Sequence, residues 1–264
     1  MPLITIARLI LREAARRRLV LAIVLLTFLT IAVTGFGFSR IPLTSCGADR
    51  NPRPCTVMEI REVASILLIL VMFMFSFILA LAAAFIAAPA IAGDVDSGIA
   101  LAMLPRPIRR SDVVLGKWLG MALLLAAYAG VSSLLELLIV RLTVDYVPPH
   151  PFIAVAFLIA EGEILLTLSL FGSTRLAPMT GGLVALVLFG LCWLGGIAQS
   201  LGFALHNNVL TNVGTASSLL LPTDGLWRGA LYSVEPPLFL VASSASSVAA
   251  ANPFAAAGPP SGPY

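Results

Sequence analysis

A chain of 264 residues with 59% hydrophobic and 11% charged side chains, and a mean hydropathy of +1.01, carries more apolar surface than a water-soluble fold can hide, since soluble domains run at roughly 45–50% apolar and about 25% charged. The apolar residues fall in continuous runs of about 20, the length that crosses roughly 30 Å of hydrocarbon, and they do not alternate as barrel strands would. The formal charge of +3 is nearly all arginine set beside those runs, a topology signal rather than a nucleic-acid-binding face, and three cysteines without a C-x-x-C supply neither a disulfide framework nor a zinc site.

The expected fold is therefore all-α: a polytopic membrane helix bundle of five transmembrane helices, forming a single domain over residues 1–264. The chain opens with Ile4, Ala7, Ile10, Leu11 and Ala14 at helical spacing, with Arg8, Arg12, Arg16, Arg17 and Arg18 between or after them. This pattern predicts an amphipathic interfacial helix over residues 3–18. Residues 19–39 form the first span, too long for the apolar core of a signal peptide. A polar stretch follows from Arg40 to Glu62, with Pro42, Pro52 and Pro54 and the pair Cys46 and Cys55. It reads as an exterior loop in which the two thiols either form a small disulfide, in an oxidising compartment, or stay unpaired. The remaining spans are expected at 63–88, 113–140, 152–171 and 182–205. Residues 93–112 make an inner loop, and Pro148, Pro149 and Pro151 mark a short outer turn. The stretch 206–264 is left outside, with a short amphipathic helix around Pro222 to Tyr232 and then a tail rich in Ala, Ser, Pro and Gly. Ten of the sixteen basic residues sit at the N-terminus, between Gly93 and Lys117, or at Arg175. That bias predicts a cytoplasmic N-terminus in a multi-pass cell-membrane protein, the plasma membrane of a prokaryote being the expected setting.

The inner loop is the most informative segment. It runs Ala92-Gly93-Asp94-Val95-Asp96-Ser97-Gly98, then Leu101-Ala102-Met103-Leu104-Pro105-Arg106-Pro107-Ile108-Arg109-Arg110, then Gly116-Lys117. Asp94 and Asp96 are expected at the start of a short helix, where carboxylates complement the positive end of the macrodipole, and Pro105 and Pro107 are expected to stop it. Read from spacing alone, the segment is either a connecting loop with interfacial anchors or a stiff element against which a soluble partner can push.

The order of these features resembles the type-2 exporter class of ATP-binding cassette (ABC) permeases: an amphipathic helix, two spans, a loop of acid, Ser-Gly, apolar turn, Leu-x-Pro, Arg-Arg and Gly-Lys, then further spans. The residues that carry the resemblance are Asp94, Asp96, Gly98, Leu104, Pro105, Arg109, Arg110 and Lys117, with Asp standing where the family often has Glu. Leu221-Pro222-Thr223-Asp224-Gly225-Leu226-Trp227-Arg228 is similar to the family's segment before its last helix. The resemblance implies a permease that works with a cytosolic ABC ATPase subunit, on which ATP and magnesium bind, and with a second permease copy or homologue. It implies that the eight loop residues couple this chain to that subunit, and that a sixth span should begin about where the chain stops, so the last helix is expected to be missing.

The chain has no phosphate-binding loop of its own. Gly116-Lys117 is followed by Trp118 in place of Ser or Thr, and Ser111 stands where the first glycine is required. No cofactor, metal or catalytic set is therefore expected in this chain, and His150 and His206 lie too far apart in sequence, without acidic neighbours, for a metal motif. Three acids fall inside predicted spans, Glu136, Glu161 and Glu163. Two readings stay open for them: a polar lining of a transport path, or structural carboxylates that are protonated or paired with arginine. Glu161 and Glu163 point about 200° apart on a helix and so make a poor catalytic pair. A membrane-embedded enzyme using one of these acids and a non-transporting scaffold are the rival functions.

Overall fold

The computed structural model describes residues 18–40, 45–46, 53–54, 56–98, 109–177 and 179–235. Eight helices are defined among them: α1 (Arg18–Arg40), α2 (Val57–Ala87), α3 (Pro89–Asp96), α4 (Arg110–Val144), α5 (Pro151–Gly172), α6 (Thr180–Ala204), α7 (Asn208–Leu220) and α8 (Thr223–Val234). Among the described residues, five helical stretches are long and apolar enough to cross a membrane: Leu21–Arg40, Glu59–Asp96, Ser111–Val144, Pro151–Gly172 and Thr180–Ala204. The fold is an all-α polytopic membrane bundle. Among the described residues, extended pairing is confined to a two-residue ladder of β1 (Ser45–Cys46) with β2 (Arg53–Pro54), antiparallel, with Cys46 opposite Arg53. Cys55 and residues 3–17 of the expected interfacial helix lie outside the described residues.

The helices expose large apolar side chains along their length and bury several small polar ones. Along α1 most exposed residues are large and apolar, among them Leu21, Leu25, Phe28, Leu29, Val33 and Phe36, whereas Thr27 and Thr34 are buried. Thr34 satisfies its hydroxyl on the Thr30 carbonyl at 2.7 Å. Lipid is as apolar as leucine, so small residues that let backbones approach, and hydroxyls that find a partner, take the buried positions. Ala64, Ser65, Ser76, Ala80, Ala83, Ala84, Ser132 and Ser169 are all buried accordingly.

The described chain falls into two compact units that cut across the long helices. The first contains Ser76–Gly130 and Ile159–Leu191, and the second Thr27–Phe75, Val131–Leu158 and the chain from Cys192 onward. In the first, Gly162 of α5 lets Leu79 and Leu125 close over it: a Cβ there would lie 3.0 Å from each. Gly181 and Gly182 work the same way, one against Gly172, the other against the carbonyl of Ala84 and the methyl of Ala88. Here α2 ends at Ala87 and α3 starts at Pro89, which lacks the amide needed to continue the ladder. Ser169 adds a hydrogen bond of 2.9 Å to the Ala84 carbonyl beside that break.

In the second unit, the end of α6 turns back on itself. His206 takes a left-handed conformation (φ 52°), and the Asn207 side chain caps α7 by accepting from the amides of Val209 and Leu210. The polar cluster His206, Asn207 and Asn208 is thus a helix terminus. Helices α7 and α8 hold 13 and 12 residues, about 20 Å each at 1.5 Å per residue, too short to span. They dock on two adjacent notches in α6. A Cβ at Gly195 would meet Ser217 of α7 at 1.9 Å, and one at Gly196 would meet the Asp224 carboxylate of α8 at 2.0 Å. Phe73, Trp193 and Trp227 pack as an aromatic cluster, with ring centroids 5.2 and 5.7 Å from Phe73.

Candidate coupling site and buried polar groups

The segment α3 to α4 brings together two of the eight loop residues singled out from sequence. Ala90 and Asp94 are four residues apart and share one face of α3. The Lys117 ammonium, from the second turn of α4, donates to both the Ala90 carbonyl and the Asp94 carboxylate. Lys117 is buried, at 6% side-chain exposure, and Asp94 is partly so at 26%. The only lysine of the chain is thereby a staple between two helices. A buried ammonium is tolerated because a carboxylate and a carbonyl replace its water.

The position of the acids differs from the sequence expectation. Asp94 and Asp96 do not start a helix; they occupy the last turn of α3, which ends at Asp96. The stop is made by Ser97 and Gly98. The Ser97 amide and hydroxyl both donate to the Gly93 carbonyl, at 3.0 and 2.7 Å, and the Gly98 amide donates to Val95 at 3.2 Å. Gly98 has φ +73°, the left-handed conformation that glycine adopts without cost after a helix. Proline at the first helical position and glycine past the last were visible in the sequence, and this asymmetry identifies the helix. Asp96 and Val95 are exposed, as is Arg109 just ahead of α4. Leu104 and Pro105 lie outside the described residues, and so does the side chain of Arg110.

Of the intramembrane acids, Glu161 and Glu163 belong to the first unit and Glu136 to the second. Glu161 is 2% exposed and accepts from the Ser76 hydroxyl at 2.9 Å. Glu163, two residues on, faces elsewhere and is half-buried, as the helical angle between them requires. One turn along the same helix, Thr167 accepts from the Trp118 indole at 2.9 Å, tying α5 to α4. Glu136 is 4% exposed, and its Oε1 has no hydrogen-bond partner among the described residues.

The sequence reading missed a third polar group. In α8, Arg228 donates to Asp224 at 2.8 Å and reaches α6 through the Gly196 carbonyl at 2.8 Å and the Ser200 hydroxyl at 3.2 Å. Burial pushes the Asp224 carboxyl above its usual range, while the charge and hydrogen bond of Arg228 pull it back. The available signal was the i,i+4 Asp–Arg spacing followed back to Gly196, a residue whose missing side chain leaves room for the carboxylate. Nearby in sequence, the end of α8 is pinned by the Tyr146 hydroxyl, which donates to the Val234 carbonyl at 2.8 Å, and by the His150 amide, which donates to Ser233 at 3.1 Å. Burial, followed by the charge of Glu235, pushes the Tyr146 phenol up to about 12, against a lowering by Arg61.

No curated protein matches this chain in a sequence comparison. A family model described as ABC-2 family transporter protein matches residues 4–233. With that match over most of its length, and with helices long and apolar enough to cross the bilayer, the chain belongs to the ABC-2 transporter family as a membrane permease component.

Proposed function

We propose that this chain is the permease subunit of an ATP-driven exporter, driven by a separate cytosolic ABC ATPase subunit through α3 and its connection to α4. The observation that carries the reading is the Lys117 staple. Helix α3 is eight residues long, about 12 Å, and the stretch Glu59–Asp96 of which it forms the end has 38 residues, far more than the roughly 20 that hydrocarbon requires. Its end presents Val95 and Asp96 to the outside. A force on that end passes through Asp94 and Lys117 directly into α4, one of the long spans. ATP and magnesium bind on the partner subunit, a second permease copy or homologue completes the pathway, and closure of the ATPase pair rocks the spans to release substrate outward. In this reading the N-terminus and α3 lie on the cytoplasmic side of the cell membrane, and Asp94, Asp96, Arg109 and Arg110 orient the partner without doing chemistry.

The test separates coupling from folding. Asp94→Leu combined with Lys117→Met removes the staple without leaving a lone buried charge, and Asp96→Ala changes only an exposed contact. In vesicles containing the chain and its cognate ATPase, both variants are expected to fold, to lose stimulation of ATP hydrolysis and to lose transport. Full stimulation and transport in the double variant would remove α3 from the coupling path.

A further inference from the structure

Glu136 lies in a setting that the coupling role does not use. Glu136 and Ser133 are three residues apart on one face of α4, and both are buried, at 4% and 5% exposure. Together with Leu68 and Met72 of α2, Leu158 of α5 and Val234 of α8, they line a small cavity. About 10 Å³ of it is open to the centre of a water molecule, the room one water needs. The Oε1 atom of Glu136 and the Oγ atom of Ser133 both lack a hydrogen-bond partner among the described residues. Buried polar atoms without protein partners are satisfied by ordered water when the space is polar and large enough. Among the described residues the rest of the wall is aliphatic or thioether, and no cation lines it.

We propose that Glu136 and Ser133 form a buried binding site for a single water molecule, with Glu136 present as the neutral carboxyl and with the C-terminal end of α8 as the plug. The neutral form follows from the surroundings: an ionised carboxylate in an apolar wall, without a cation beside it, is far costlier than a protonated one. The water has a carboxyl and a hydroxyl to bond, which meets its minimum of two partners. The plug follows from Val234, which is both part of the cavity wall and the residue whose carbonyl Tyr146 holds. Water leaves or enters when that end of α8 lifts away from Tyr146 and His150.

Infrared spectroscopy on the full chain in lipid nanodiscs tests both parts. Subtracting the Glu136→Gln spectrum from that of the unaltered protein isolates the Glu136 carbonyl stretch. The expected band is that of a protonated, hydrogen-bonded carboxyl, moved toward the unbonded position by Ser133→Ala. Its shift after transfer to heavy water is expected to be slow, and about tenfold faster in Tyr146→Phe, the effect of one lost hydrogen bond. An ionised carboxylate band overturns the site, as does a band at the unbonded position that ignores Ser133→Ala. Exchange in Tyr146→Phe at the rate of the unaltered protein overturns the plug.

Discussion

Each compact unit buries polar groups in two ways, as charged pairs and as a carboxyl with one oxygen unpartnered among the described residues, Glu163 in the first and Glu136 in the second. In the first, Lys117 is almost wholly buried and is held by Asp94 and the Ala90 carbonyl, and Glu161 accepts from Ser76. In the second, Asp224 and Arg228 form a comparable pair, yet Glu136 sits in an aliphatic wall with one oxygen unpartnered among the described residues. A paired buried charge fixes two helices against each other, because removing either partner strands the other in low dielectric. A lone carboxyl fixes nothing of that kind and persists by taking up a proton. The difference separates polar groups that transmit position from those that only tolerate burial.

The contrast is broken most severely at Asp94. Asp94→Ala alone turns Lys117 into a lone buried ammonium and is expected to lower stability by about 3 kcal/mol, toward the lower end for a broken buried pair because Asp94 is partly exposed. The double replacement Asp94→Leu with Lys117→Met should recover most of that loss. Chemical denaturation of the purified chain, read by tryptophan fluorescence, measures both; a double variant as unstable as the single one would contradict the pairing argument.

An intermediate effect is expected at Arg228, where Arg228→Met strands Asp224 beside Gly196. About 1–3 kcal/mol is the expected cost near neutral pH. The folded Asp224 carboxyl already titrates above its unfolded value of 3.8, and without Arg228 both lowering influences vanish and it rises further. A group raised on folding contributes stability that is present at low pH and lost as pH climbs through its folded value. The deficit of Arg228→Met relative to the unaltered protein should therefore shrink as pH falls from neutrality toward 4. Melting curves across that range decide it, and a deficit that grows on acidification would show that Asp224 is not the stranded group.

The smallest effect is expected at Glu136. If Glu136 is already neutral, Glu136→Gln removes no charge and keeps a donor and an acceptor of the same shape. It should change stability by less than about 1 kcal/mol. A loss comparable to that of Asp94→Ala would mean that Glu136 is charged and paired after all.

How much of this was legible beforehand follows from the range of each interaction. Helices over Pro151–Gly172 and Thr180–Ala204 were readable because their apolar runs are continuous. The Gly98 stop was written locally too, although Asp94 and Asp96 at the end of α3 look in sequence like the opening of a helix. Lys117 could be recognised as part of a motif, but its partner could not, since 23 positions of sequence separate it from Asp94. Helix α7 went unread because its short segment is only weakly apolar; what holds it is the notch at Gly195 that Ser217 fills.

The residues alone place this chain in a bilayer as long helices, because in hydrocarbon each backbone amide must bond within its own segment and the runs have the required length. They also carry the order of features shared with ABC-2 permeases. Which buried polar groups meet is set by the packed fold: Lys117 with Asp94, Arg228 with Gly196, Glu136 with a cavity. Such meetings depend on how each helix is rotated about its own axis, and that rotation is set by close packing between segments far apart in the chain.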